Sequence, residues 1–212
     1  MNIEEHFTQI YKNNSWHGIE SKSGTGSDLE TTKILRPQLV ELVDFLNIQT
    51  MVDIPCGDFH WMKEIVKDLN IDMYLGIDIV KEMIESNKLK YESLESKPKI
   101  WFSKASIIDT VLPQSDLIFS RDCLVHFSYA TARKILDNII KSNSIYLLMT
   151  TFTSKTRVYP DILDGQWRAI NFEAAPFNLP PPLRIINEGC TEDNNNWTDK
   201  SLALWEISSL RG

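Results

Sequence analysis

The chain of 212 residues sets 22 Lys+Arg against 29 Asp+Glu, a net charge of −7, with 42% hydrophobic and 24% charged residues. This balance fits a compact folded protein and excludes a disordered chain or a fibrous repeat. The acidic excess offers no electrostatic footprint for a phosphate backbone, so nucleic acid is not an expected partner.

Cys56, Cys123 and Cys190 are odd in number and far apart, which supports neither a disulfide framework nor a paired-cysteine zinc site, and no metal is expected. The opening residues MNIEEHFTQIYKNN lack the basic and then apolar regions of a secretory leader, and no apolar run approaches the roughly 18 residues needed to span a bilayer. The expectation is a cytoplasmic protein with no membrane partner. No repeat or linker-like stretch divides it, so residues 1–212 are expected to form a single domain.

In chain order, residues 21–28 (SKSGTGSD) are irregular, and residues 30–46 carry helical spacing that Pro37 kinks or restarts. From residue 50 onward, short β-rich runs alternate with helical patterns. Residues 50–54, 73–78, 99–102, 116–120 and 144–150 read as strands with apolar runs suited to burial on both faces. Residues 60–69, 80–94 and 129–141 read as crossover helices, the last capped by Ser128. A long irregular insertion, 153–182, precedes two late strands at 183–187 and 202–207. The expected fold is α/β: a doubly wound, Rossmann-like sheet of about seven strands with helices on both faces, mostly parallel with a late antiparallel strand.

The densest local signal is VDIPCGDFHWM, residues 52–62, where a strand ends at Asp53 and a glycine turn precedes a helix. Gly57 lets the backbone approach a ligand, and free N–H groups at a helix start attract a carboxylate or phosphate. Asp78 ends the next strand, 25 positions after Asp53. A carboxylate there accepts hydrogen bonds from both ribose hydroxyls of an adenosine cofactor, the alternative being a plain strand-ending or helix-capping acid. A single glycine, flanked by Pro55 and Phe59, gives a diphosphate poor access and disfavours NAD. Gly24-Thr25-Gly26-Ser27 has no following lysine and follows no strand, which disfavours ATP hydrolysis.

From about residue 50 to 212, the order of these motifs resembles the class I S-adenosylmethionine-dependent methyltransferases. DIPCGDF resembles that family's first motif, GID (76–78) its ribose-binding acid, and SDLIFSRDCLVHFS (115–128) its fourth strand with the substrate-facing residues. The pattern W-x-G-x-E-S-x-S-G-x-G-S, Trp16 to Ser27, together with D-I-P-C-G-D-F-x-W-M, is similar to a bacterial branch of the fold. The resemblance implies S-adenosylmethionine as cofactor, held by Asp53, Pro55, Cys56, Gly57, Asp58, Phe59, Trp61, Asp78 and Ile79. It places Ser106 where an acid often meets the adenine amino group, with Ile107 packing on the ring. It also makes residues 1–49 a lid and helix: Ser23, Gly24, Gly26 and Ser27 close over the cofactor, Trp16 offers a flat apolar wall, and Arg36 is a partner for the methionine carboxylate. Arg121 pairs with that carboxylate, with Asp122, or in a surface ion pair.

Asp122 and His126 stand four apart and share a face if the turn there is helical. His126 can then take a proton from a substrate hydroxyl near neutral pH, with Asp122 orienting the ring or the substrate. The alternative is a half-buried histidine capped by a local carbonyl. His60 is expected on the outer face of a first helical turn, and Cys56 and Cys123 as small buried thiols rather than nucleophiles. In the insertion, Trp167 can stack on a sugar, Arg168 can fork onto a carboxylate or phosphate, and Asn171 completes a substrate wall, with core packing of the aromatics equally open. The expected activity is O-methylation of a small polar acceptor, a sugar or glycan precursor. An NAD-linked oxidoreductase and a non-catalytic S-adenosylmethionine-binding partner protein are the alternatives.

Overall fold

The computed structural model describes residues 2–211. Its seven strands are β1 (Thr50–Asp53), β2 (Met73–Asp78), β3 (Lys99–Lys104), β4 (Leu117–Ser120), β5 (Tyr146–Phe152), β6 (Arg184–Asn187) and β7 (Lys200–Glu206). They form one sheet in the order β3-β2-β1-β4-β5-β7-β6, in which only β7 runs antiparallel to its neighbours. The chain clusters into two compact units, residues 1–106 and 107–212.

In the first unit, β1, β2 and β3 are parallel, with Asp53 level with Gly76 and Asp78 level with Lys104. Helix α1 (Ile3–Asn13) opens on a capping box in which the Asn2 side chain accepts from the Glu5 N–H and the Glu5 carboxylate from that of Asn2. None of its residues is buried. Ion pairs Lys12–Glu82 and Lys104–Glu4, both at 2.6 Å, tie it down. Each is solvated and worth at most about 1 kcal/mol. Helix α2 (Leu35–Phe45) begins late enough that Pro37 sits in its first turn, where a missing N–H removes no hydrogen bond. Of the two expectations, a kink or a restart, the structure shows a helix that starts close to Pro37, with Leu35, Leu39, Leu42 and Val43 as its buried stripe. Helix α3 spans Lys81–Tyr91.

Residues 60–69 do not form the expected regular helix. A 3₁₀ turn at Met62–Glu64 is followed by mixed bonding, Ile65 N–H to Met62 but Val66 N–H also to Met62. The helical spacing nonetheless marks what is buried: Trp61, Met62, Ile65, Val66 and Leu69.

In the second unit, β4 and β5 are parallel, and β7 pairs antiparallel with both β5 and β6. Helix α4 (Tyr129–Lys141) buries Ala132, Ile135, Leu136 and Ile139 at helical spacing, each Leu or Ile contributing roughly 1.5–3 kcal/mol. Its first turn is capped twice. Ser128 Oγ accepts from the Thr131 N–H, while Asp164 and Asp161 accept from the N–H groups of Ser128 and Tyr129 at 2.7 Å. The carboxylates of the insertion thus complete the helix end. Ile170, Phe172 and Phe177 of the insertion are buried. Among the described residues, no helix is long and apolar enough to cross a membrane.

Candidate functional site

At the tip of β2, the Asp78 carboxylate is buried, with Oδ2 accepting the Gly57 N–H at 3.2 Å and Oδ1 the Val80 N–H at 2.9 Å. Burial pushes its pKa up to about 6, against the opposing pull of the N–H groups of Val80, Gly57 and Ile79. A carboxylate offers about four lone-pair sites, so acceptor capacity is left for further donors.

Gly57 has φ +57°, and a Cβ there would lie 2.5 Å from Ser23 Oγ. The chain itself thus makes one close approach that demands glycine here. Asp58 fastens the same contact. Its carboxylate accepts from Ser21 Oγ (2.9 and 3.0 Å), the Lys22 N–H (2.9 Å) and Ser23 Oγ (3.3 Å), while its own N–H donates to Ser23 Oγ at 2.9 Å. Gly24 has φ +97° and abuts Trp16, whose ring also lies against Phe7. Gly26 and Ser27 fall in a 3₁₀ turn closed by the Ser27 N–H on the Gly24 carbonyl.

Other residues of the glycine turn serve the interior. Asp53 is buried and accepts from the Tyr74 hydroxyl. Phe59 packs among Tyr74, Tyr91 and Phe102 with centroids 5.1–5.3 Å apart, so its ring belongs to the core rather than to a ligand wall. Trp61 is buried, and Pro55 and Ile79 are half-buried. The Cys56 thiol is driven up by burial and then by Asp78 and Asp53, which fits an inert thiol. His60 is not on an outer face. It meets Glu20 at 3.3 Å in a polar cavity of about 280 Å³ that Tyr11, Lys22 and Asn87 also line. Arg36 donates from Nη2 to the Leu29 carbonyl, and its buried Nε has no hydrogen-bond partner among the described residues.

In the second unit, Asp122 sits just past β4 with φ +52°, a left-handed conformation uncommon for a non-glycine residue and one that concentrates at functional sites. Burial alone would raise its pKa, but Lys200 Nζ at 2.7 Å and Arg121 Nη1 at 3.4 Å pull it down to about 2. Arg121 donates to Glu188 from Nε at 3.2 Å and from Nη2 at 2.7 Å, and Lys200 also reaches Glu188 at 3.7 Å. Two cations and two anions neutralise one another. Arg121 is thus buried on Glu188 and also pairs with Asp122, one of its three expected partners, rather than forming a surface ion pair, and Asp122 in turn is held by Lys200. The turn Leu124–His126 is 3₁₀, so the helical face expected to unite Asp122 and His126 does not form.

His126 Nδ1 lies 3.2 Å from the Gln166 carbonyl. A carbonyl only accepts, so in this contact Nδ1 carries the proton. The insertion is zipped along this turn by Gly165 N–H to the His126 carbonyl (2.7 Å) and Arg168 N–H to that of Val125 (3.0 Å). Trp167 packs edge-on against Trp197 (4.7 Å) and Phe152 (6.1 Å). Asn171 is spent on its own segment, donating to the Ser154 carbonyl and accepting from the Glu173 N–H. The Arg168 guanidinium lies over the Tyr129 ring at 4.6 Å.

No family model and no curated protein matches the sequence. Solved structures do match. The chain is similar to the methyltransferase domain of bacterial CtHen1, at 12% identity over 84% of this chain and 100% of that one, with a TM-score of 0.60. It is similar to human N-acetylserotonin methyltransferase, crystallised with S-adenosylmethionine, at 14% identity over 97% and 60% of the two chains, with a TM-score of 0.67. It is also similar to the N-methyltransferase NodS from Bradyrhizobium japonicum WM9, crystallised with S-adenosylhomocysteine, at 12% identity over 93% and 97%, with a TM-score of 0.63. The chain shares the fold of these three proteins.

Within this fold, the structure brings Asp78, Gly57, Asp58, Ser23 and Gly24 together in the first unit, where Ser106 is the last, half-buried residue. In the second unit, Ile107 is buried and its carbonyl accepts from Asn138. Lys200, Glu188 and Trp197 were missed by sequence reasoning. They lie far from any motif, and only the antiparallel return of β7 beside β5 brings Lys200 level with Phe152.

Proposed function

We propose that the chain is an S-adenosylmethionine-dependent methyltransferase that methylates a hydroxyl oxygen of a small polar acceptor, a sugar or glycan precursor. The observation that carries this reading is Asp78: a buried carboxylate at a strand tip, oriented by two backbone N–H groups and retaining acceptor capacity for a ribose. The residues present fit the cofactor at its other end too, since the unpartnered Nε of Arg36 suits the amino-acid carboxylate. When bound, S-adenosylmethionine supplies a methyl group already made electrophilic by its sulfonium. The segment held by Asp58, with Trp16, Ser23, Gly24, Gly26 and Ser27, serves as the cover over the cofactor.

On the acceptor side, His126 Nε2 takes the hydroxyl proton, a contribution of about 10²- to 10⁴-fold. Asp122, ionised and held by Lys200, fixes the backbone from which the histidine turn departs. The test is transfer of labelled methyl from S-adenosylmethionine to small hydroxyl, amine and carboxylate acceptors, monosaccharides included. Transfer to a hydroxyl that drops at least about 100-fold in His126→Ala supports the reading. Transfer unaffected by that substitution removes the base. Cofactor uptake with no transfer to any acceptor returns the protein to a non-catalytic binder.

A further inference from the structure

Two arginines are buried in the second unit, Arg121 at 7% and Arg168 at 4% exposure. The Nε–H and one Nη2–H of a guanidinium point the same way and form the fork that matches a carboxylate or phosphate. In Arg121 this fork is closed on Glu188, with Nε and Nη2 both donating to its oxygens. In Arg168 the same two atoms, Nε and Nη2, are buried and have no hydrogen-bond partner among the described residues. Nη1 donates to the Leu124 carbonyl at 3.4 Å. The Tyr129 side chain stacks under the guanidinium and its hydroxyl also draws on the charge, but neither Nε nor Nη2 has a hydrogen-bond partner there. Asp161 pulls on its charge without a hydrogen bond to the fork, its Oδ1 accepting from the N–H groups of Tyr129 and Ile162. A desolvated guanidinium with its bidentate edge unmatched is costly unless an anion completes it.

We propose that Arg168 is the anion-recognising residue of the acceptor site, its Nε/Nη2 fork taking a carboxylate or phosphate carried by the acceptor. The position is tied to the histidine turn, because the Arg168 N–H holds the Val125 carbonyl and Gln166 holds His126 Nδ1. Trp167, 44% exposed, is the neighbouring aromatic surface for the body of such a molecule. That the anion belongs to the acceptor rests on the methyltransferase reading; the anion site itself does not.

The experiment titrates sodium phosphate and sodium acetate into ¹⁵N-arginine-labelled full chain, each against sodium chloride of equal ionic strength. Arginine Nε–H signals are followed by NMR, with and without S-adenosylhomocysteine. A saturable shift of the Arg168 signal with phosphate assigns a phosphate, and one with acetate a carboxylate. Arg168→Lys, which keeps the charge and loses the fork, is expected to weaken that response at least ~10-fold, while Arg211→Lys, at an exposed position, leaves it intact. No saturable shift with either anion, or a response that survives Arg168→Lys, overturns the proposal. If that variant does not fold, the wild-type signal is assigned through its Overhauser contacts to the Tyr129 ring, and its response decides alone. Anion binding without S-adenosylhomocysteine uptake would keep the site and remove the methyltransferase reading; uptake without anion binding would do the reverse.

Discussion

Asp78 carries opposing demands that make it testable by pH. Its folded-state pKa stands at about 6 against an ordinary 3.8, so the folded chain holds this proton more tightly than the unfolded one. The group therefore favours folding fully below about pH 4, and that contribution, on the order of 3 kcal/mol, is lost as pH rises through 6. Ribose binding needs the ionised form and moves the other way. Affinity for S-adenosylhomocysteine is expected to fall as pH drops below about 6, while denaturant unfolding of the unliganded protein shows this group's stabilisation increasing over the same window. Affinity that stays flat from pH 7.5 to 5 would remove Asp78 from the ribose site.

At the scale of elements, the glycine turn and the preceding loop form one device, with Asp58 as its clasp. Gly57→Ala forces a side chain into Ser23 Oγ at a left-handed φ, and a cost of about 1–3 kcal/mol is expected in thermal unfolding. Asp58→Asn removes charge from the clasp and is expected to speed amide exchange at residues 21–24 more than across β2. Equal exchange in the two proteins would show that the loop is held by something else. At the opposite unit's helix, Ser128→Ala is expected to cost only about 0.5–1 kcal/mol, because Asp161 and Asp164 also cap α4. Such elements were legible unevenly in the sequence. Residues 73–78 read as a strand with the bounds β2 has, since a mostly apolar run ended by an acid has one reading. Helix α1 was overlooked although Asn2-x-x-Glu5 is a readable capping box, because none of its residues is buried to mark a core stripe. The turn after β4 misled for another reason: i,i+4 spacing unites Asp122 and His126 only in an α-helix, and a left-handed Asp122 begins a 3₁₀ turn instead.

For the whole molecule, alternating strands and helices made the sheet class readable, and a single antiparallel β7 agrees with it. The chemistry of the acceptor was less readable, since Arg121 and Arg168 look alike in sequence and differ only in whether a glutamate reaches the fork. Global stability gives an independent handle on cofactor use. S-adenosylhomocysteine at about 100 times its dissociation constant is expected to stabilise the fold by about 2.7 kcal/mol, with a dose-dependent rise in melting temperature. NADH at the same concentration is expected to leave it unmoved.

The most direct measurement is calorimetric titration of S-adenosylhomocysteine into the wild-type chain and into Asp78→Asn at pH 7.5, with unfolding curves to confirm that both are folded. One saturable site in the wild type, weakened at least ~10-fold by the substitution, is the predicted result. No uptake by the wild type, or equal affinity in the two proteins, would contradict the assignment of this glycine turn and carboxylate to the cofactor.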